Sequence, residues 1–440
     1  MITHARPRLQ RPALLSNAAD AAGTQLYDTI LSIVVVTALG FTATQLGLLN
    51  ALGSLSFLLL VVPIGLLVDH WGPGRSIVLS LTVKLVAAAC TLLLAATGTL
   101  GTLSTCVLVT IIGAVTVASE NAQTALVPRI SGDGRDIAAF IANMAAADRI
   151  VGIIAPALAG MLVALTGSGP AFALAVLLLG IAVVPALRLR GLGGASPDPG
   201  ADREEQSPAA GPEGDGAGGD RAPDGLLAAL THGFVLLGRD RFLLGTTLLV
   251  AAGNIGLAMG DSLEPLLVLR ELGLGTVFFG LLGTIGAVSG IAATFLAPRV
   301  VALLSTRRIF VVGAFVQSGV AALPLLSLLV PWIAYGSMSA FNALWAITLT
   351  ITNIAGAAYA AQAVAVESLG RAAAARRMIT MGCVPIAALA SGALADLTRL
   401  AVPLLVWPLL TLAAAVSFLV MTRESGGLRG TRADRTRRSR

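Results

Sequence analysis

"GLLVDHWGPGR", residues 65–75, puts an aspartate, a histidine and an arginine within seven residues. On either side lie long runs of alanine, leucine, valine and glycine with almost no charge. The stretch reads as a polar turn between two apolar rods, and the same alternation of long run and charged turn extends in both directions. Of the 440 residues, 56% are hydrophobic and 12% are charged, about half the charge share of a soluble domain. A water-soluble globule must cover its surface and has no use for so much apolar side chain. The solvent that fits is a bilayer. About 20 apolar residues cross its ~30 Å hydrocarbon layer as a helix, and backbone polar groups are satisfied there only in helices or closed barrels. The runs are continuous rather than alternating, which argues against barrel strands.

Twelve spans are expected, near 16–40, 44–68, 76–98, 102–127, 137–165, 169–189, 243–270, 275–298, 307–330, 334–363, 372–397 and 401–422. The fold class is therefore an all-α membrane protein of twelve transmembrane helices in two pseudo-symmetric six-helix bundles, 16–190 and 226–422. Between them, residues 191–225 are rich in Gly, Pro and Ala, acidic, and nearly free of large apolar side chains. Such a segment cannot bury a core and is expected to be a disordered linker. Residues 226–242 are expected to open the second half as a short helix lying at the membrane surface. Residues 1–15 and the arginine-rich 423–440 form tails.

Basic residues recur on one set of loops: Arg6, Arg8 and Arg11 before the first span, then Arg75, Arg129, Arg135, Arg188, Arg190, Arg299, Arg307, Arg308, Arg371, Arg376 and Arg377, and the tail. The opposite loops hold only Arg270 and Arg399. The positive-inside rule then places both termini in the cytoplasm, with the chain in the cytoplasmic (inner) membrane. The first apolar run is too long for a cleaved signal and reads as a membrane helix.

The net charge of +6 does not point to nucleic acid, because the basic residues sit at the ends of apolar runs with no aromatic-interleaved patch. Cys90, Cys106 and Cys383 fall inside apolar runs without ligand or disulfide spacing. His4, His70 and His232 are scattered, so no metal site is expected. No P-loop or other cofactor pattern appears, and no nucleophile–base constellation, so the chain reads as neither an ATPase nor another enzyme.

The halves repeat each other at an offset of 233 residues, which carries "GLLNALG" (47–53) onto "GLLGTIG" (280–286). The same offset pairs Asp28 with Asp261, Arg75 with Arg308, Pro170 with Pro403 and Lys84 with Gln317. Parallel repeats of this kind imply a site near mid-membrane where the halves meet, and rocking of one half against the other.

The opening stretch resembles the loop signature between spans two and three of the major facilitator superfamily. Gly65, Leu67, Asp69 and Gly72 fall on that pattern, Pro73 and Gly74 replace its paired basic residues, and Arg75 comes one place late. "GIIAPALAG" (152–160) is similar to the glycine–proline motif of the family's antiporter branch, with Gly152, Pro156 and Gly160 present and Ala155 and Ala159 at glycine positions. The surrounding sequence resembles macrolide-efflux and siderophore-export members. The resemblance implies the fold and, beyond it, export. It also implies a conformational latch of Gly65, Asp69, Gly72 and Arg75 that holds an outward-open state. On residues alone, Asp69 and Arg75 read first as solvated loop charges marking topology, and the latch rests on the resemblance. Pro156 reads equally as a plain kink or as part of a gate.

A charge in hydrocarbon costs several kcal/mol unless it faces a cavity or a partner. Asp28 lies about 18 Å from the outer end of span one, Asp261 at matching depth in span seven, and Glu264 one turn beyond it on the same face. These three, with Glu120 and Asp148, are the candidate proton-coupling residues. Glu120 and Asp148 also read as neutralising partners for Lys84 or Arg149, Lys84 as a side chain snorkelling to the interface, and Asp20 as interfacial. Tyr27, Asn254 and Gln317 are candidate hydrogen-bonding groups for a substrate. The spans otherwise offer an apolar surface that suits a hydrophobic or amphiphilic small molecule. The expected function is proton-coupled export (antiport) by a monomer through alternating access. An uptake symporter and a non-transporting membrane sensor or scaffold are the competing readings.

Overall fold

The computed structural model describes residues 7–131, 134–192, 234–235, 237–238, 240–363 and 366–423. Nearly all of the expected linker, most of the expected surface helix and all but the first residue of the C-terminal tail lie outside the described residues, as do the side chains of Asp69 and Arg371.

Every described element is helical. The first half comprises α1 (Pro7–Thr37), α2 (Ala43–Trp71), α3 (Pro73–Ala96), α4 (Thr102–Ile130), α5 (Gly134–Thr166) and α6 (Ser168–Ala186). The second comprises α7 (Arg241–Pro265, continued by a π turn, Leu266–Glu271), α8 (Thr276–Leu303), α9 (Thr306–Val320), α10 (Leu323–Leu329), α11 (Ala334–Ala363), α12 (Val366–Gly382), α13 (Val384–Leu397) and α14 (Ala401–Arg423). Among the described residues, eleven helical stretches are long and apolar enough to cross a membrane. α1, with 31 residues, is not among them, because Asp20, Gln25 and Asp28 dilute its apolar run. Two of the expected spans are interrupted. The ninth breaks into α9 and α10 just before Pro324, and the eleventh into α12 and α13 just before Pro385. A proline lacks the donor and clashes with the preceding turn, so helices restart around it.

The opening stretch is the junction of α2 and α3. Gly72 ends one helix and caps the next at φ 84°, which favours glycine, and Pro73 takes the first helical position. α2 begins with a capping box. The Thr42 hydroxyl accepts from the Gln45 N–H, and the Gln45 carboxamide accepts from the Thr42 N–H.

Within the first half, α1 packs on α5 and α6, α2 on α4, and α3 on α4 and α6. In the second, α7 packs on α13 and α14, α8 on α11, and α9 on α11 and α14. The halves meet most extensively at two crossings, α2 with α13 and α5 with α8. Both are backbone-to-backbone. A Cβ on Gly280 would lie 2.2 Å from the Pro156 carbonyl oxygen, and one on Gly160 would lie 2.2 Å from that of Thr276. A Cβ on Gly47 would meet the Ala388 carbonyl at 2.5 Å, and one on Gly392 that of Ala43 at 2.2 Å. Small residues let helices approach this closely where no water drives association. The Thr276 and Thr284 hydroxyls donate to the Gly160 and Ile153 carbonyls at 3.0 and 2.5 Å across the same seam. The repeated stretches 47–53 and 280–286 thus begin at equivalent crossings, one in each half.

Two charges of the second half grip the turn between α1 and α2, at the end of the bundle away from both termini. Arg270 donates to the Val36 and Phe41 carbonyls at 2.7 and 2.9 Å. Asp396 accepts from the Ala43 and Thr44 N–H groups at 3.1 and 2.8 Å. Each satisfies helix-terminal groups that have no intrahelical partner, and each carries the charge that suits its helix end. Removing both side chains is expected to loosen this end by about 1–2 kcal/mol. A cysteine at Ala395, in a background lacking the native cysteines, should then react with a membrane-impermeant maleimide about tenfold faster. An unchanged rate would show that the grip is dispensable.

Candidate functional site

Asp28 and Asp261, paired by the repeat, are both open to a water-sized probe, yet both are densely surrounded by protein atoms. Asp261 lines the cavity of the second half described below. Asp28 shares its exposed side of α1 with Gln25. Glu120, also exposed, lies within electrostatic reach of Lys84, Asp20 and Asp148 in the first half and of Arg377 in the second.

Behind Asp28 the first half holds a buried polar core. Lys84 is only 1% exposed. Its ammonium donates to Asp20 at 2.7 Å and to Thr24 at 3.3 Å, and Thr24 donates to Asp20 at 3.3 Å. Lys84 therefore does not snorkel and Asp20 is not interfacial. The expectation fails because the two partners lie on different helices, where sequence spacing cannot pair them. Lys84 remains within electrostatic reach of Asp28 and of Glu120. Asp148 takes a hydrogen bond from Asn17 at 2.9 Å rather than pairing with Arg149. Tyr27 is buried against Phe172, with its hydroxyl bonded to Thr91 at 2.9 Å. Its role here is packing, and it does not join the other substrate candidates.

In the second half α7 carries Asp261 and Glu264 on one face of a cavity of about 170 Å³, lined by residues of α7, α8, α10, α11 and α14. Asn342 donates to Glu264 at 3.0 Å. Phe341, Trp345 and Trp407 form an aromatic cluster along the cavity, with ring centroids 5.2–6.0 Å apart. Trp407 lies flat against α7, because Gly256 and Gly260 leave no Cβ under its indole. A Cβ at either position would fall 2.1 or 2.0 Å from the ring. The indole N–H groups of Trp345 and Trp407 are buried and have no acceptor among the described residues. Asn254 and Gln317 do come together. They line a smaller cavity of about 20 Å³ on the other side of Trp345, where Asn254 also donates to the Thr380 carbonyl at 2.9 Å.

Of the loop signature, Gly65 is half-buried, Gly72 is buried and Arg75 is exposed, while the Asp69 side chain lies outside the described residues. Of the glycine–proline motif, Pro156 and Gly160 lie in the α5–α8 crossing and Gly152 one to two turns before it. Sequence reasoning missed Asp396, the gripping role of Arg270 and the aromatic wall. Asp396 carried one available signal, an acid on a loop otherwise poor in charge.

Helical halves long and apolar enough to span a membrane, joined at backbone crossings and carrying acids within their spans, point to a membrane transport protein. The family model of the Major Facilitator Superfamily matches residues 13–353, most of the chain, and the protein belongs to that superfamily. No curated protein matches the sequence. Among solved structures, a bacterial homologue of the iron transporter ferroportin in an inward-facing state is similar, at TM-score 0.70 and 15% identity, over 94% of this chain and 98% of that one. A point mutant of the nucleoside transporter NupG gives TM-score 0.68 at 14% identity, over 94% and 99%. A bacterial homologue of the human lysosomal transporter Spinster, inward-facing and unoccupied, gives 0.66 at 12%, over 94% and 97%. At such identities the likeness shows the fold and nothing finer.

Proposed function

We propose that the protein exports a hydrophobic or amphiphilic small molecule in exchange for protons, by alternating access, in the manner of the drug- and macrolide-efflux branch. In this reading α1 is a twelfth span. Both termini are cytoplasmic, the chain lies in the inner membrane and works as a monomer, and the cleft opens inward. The observation that carries the proposal is the repeat-related pair Asp28 and Asp261. A carboxyl group is costly in a bilayer unless it works in a water-filled cleft, where it can take up and release protons. Glu264, Glu120 and Asp148 lie along the same cleft and extend the path. The latch of Gly65, Asp69, Gly72 and Arg75 and the Gly152–Pro156–Gly160 gate act at the ends that open in turn.

The test is efflux of a dye panel from proteoliposomes under an imposed pH gradient. Asp28→Asn and Asp261→Asn are each expected to lower gradient-driven efflux by about tenfold or more while leaving downhill exchange measurable. Unchanged driven efflux in both variants would remove the acids from the mechanism. Accumulation rather than efflux in oriented vesicles would reverse the direction.

A further inference from the structure

We propose that the cavity inside the second half is a binding site for the ammonium head of an organic cation. The inference deepens the transport reading, on which it rests, by naming the chemical class of the cargo. Two features of the cavity converge on that class.

The first is uncompensated negative charge. Asp261 and Glu264 are one turn apart on α7 and feel each other electrostatically. Neither forms an ion pair among the described residues, and Glu264 has only the Asn342 amide as a hydrogen-bond donor. In the first half the corresponding role is filled from within, since Lys84 sits beside Asp20 and near Asp28. The position equivalent to Lys84 in the second half is Gln317, which is neutral and lines the neighbouring cavity. One half carries its own cation, and the other leaves that place to be filled from outside.

The second is the aromatic lining. Phe341 and Trp345 border the space, with the fully buried indole of Trp407 packed beside them. A cation near such faces is attracted by the ring quadrupoles, most strongly by tryptophan and more so when desolvated. The same lining disfavours a metal ion, which would need further hard ligands. Among the described residues no group of three or more His, Cys, Asp or Glu side chains gathers to hold one. A cavity of about 170 Å³ is close to the ~150 Å³ that accommodates a benzene ring, so the site fits a compact head group while the remainder of a larger cargo extends into the cleft.

The probes are choline, its uncharged isostere 3,3-dimethylbutan-1-ol, and tetraethylammonium, added to the purified full-length protein in nanodiscs. Intrinsic tryptophan fluorescence and calorimetry give two readouts. Choline and tetraethylammonium should bind saturably, and the isostere at least tenfold more weakly. Glu264→Gln, which preserves an acceptor for Asn342, and Asp261→Asn should each weaken the cations at least tenfold and leave the isostere unchanged. Trp345→Phe should bind, and Trp345→Leu should not. Thermal unfolding of each variant separates lost binding from lost folding. If neither cation binds, if the isostere binds equally well, or if the acid variants bind as the parent does, the inference is overturned. Should pH-driven efflux of uncharged dyes persist alongside any of those results, transport stands without the ammonium site. Tight cation binding with no transport of any probe would instead remove the transport reading.

Discussion

Lys84→Met is expected to be among the most damaging single substitutions in the chain. The ammonium sits 2.7 Å from Asp20 with both side chains nearly out of solvent. Removing one partner of such a pair leaves an uncompensated buried charge, at a cost of about 3–5 kcal/mol. The midpoint of thermal unfolding in detergent should fall by roughly 10 °C. The double variant Asp20→Leu/Lys84→Met should recover most of that loss, because an apolar pair of similar size fills the same space without desolvating charge. The cycle also tests what the pair is for. If the double variant is stable yet fails to couple efflux to the pH gradient, the nearby Asp28 depends on Lys84 for its electrostatic surroundings. A single variant as stable as the parent would refute the reading of this pair as a structural keystone.

Gly280→Leu is expected to abolish transport. At this crossing a mere Cβ would already lie 2.2 Å from the Pro156 carbonyl oxygen, so the larger side chain cannot be housed without separating α5 from α8. Overpacking of this kind costs about 1–3 kcal/mol even where neighbours can yield, and here the neighbour is backbone. The far end should then be unable to close. The Ala395 cysteine should label quickly, and cargo movement in proteoliposomes should drop to background. Gly47→Leu should behave alike at the equivalent α2–α13 crossing. Gly319→Leu, where an added Cβ meets nothing within 4 Å, serves as the control. Normal transport by both crossing variants would show that the glycines are not what seals the far end.

These two sites differ in how far they could be read in advance. The helical membrane fold was legible because long apolar runs admit few other solutions, and the crossings were half-legible because "GLLNALG" and "GLLGTIG" repeat in register. Pro156 and Gly160 stood out as a motif and Gly280 as the start of the repeat, but their pairing did not, because contact across 120 residues leaves no local trace. The breaks before Pro324 and Pro385 were signalled by the prolines themselves, yet hydropathy runs straight through them. Lys84 and Asp20 were visible as charges and were assigned to the interface, because burial beside a partner and snorkelling look the same in one dimension. Trp345 and Trp407 were hidden by their surroundings, since a bulky apolar residue in an apolar run is as readily lipid-facing as pocket-lining. Arg270 looked like a topology marker because its acceptors, Val36 and Phe41, are backbone carbonyls that any sequence would supply.

α7 and its π turn form one continuous rod from Arg241 to Glu271. Glu264 in the pocket wall and Arg270 on the α1–α2 turn are therefore only six residues apart along it. In the proposed alternating-access cycle, a tilt of this rod at the acids would reach the Arg270 contacts with the α1–α2 turn within two helical turns, with no relay through the rest of the bundle.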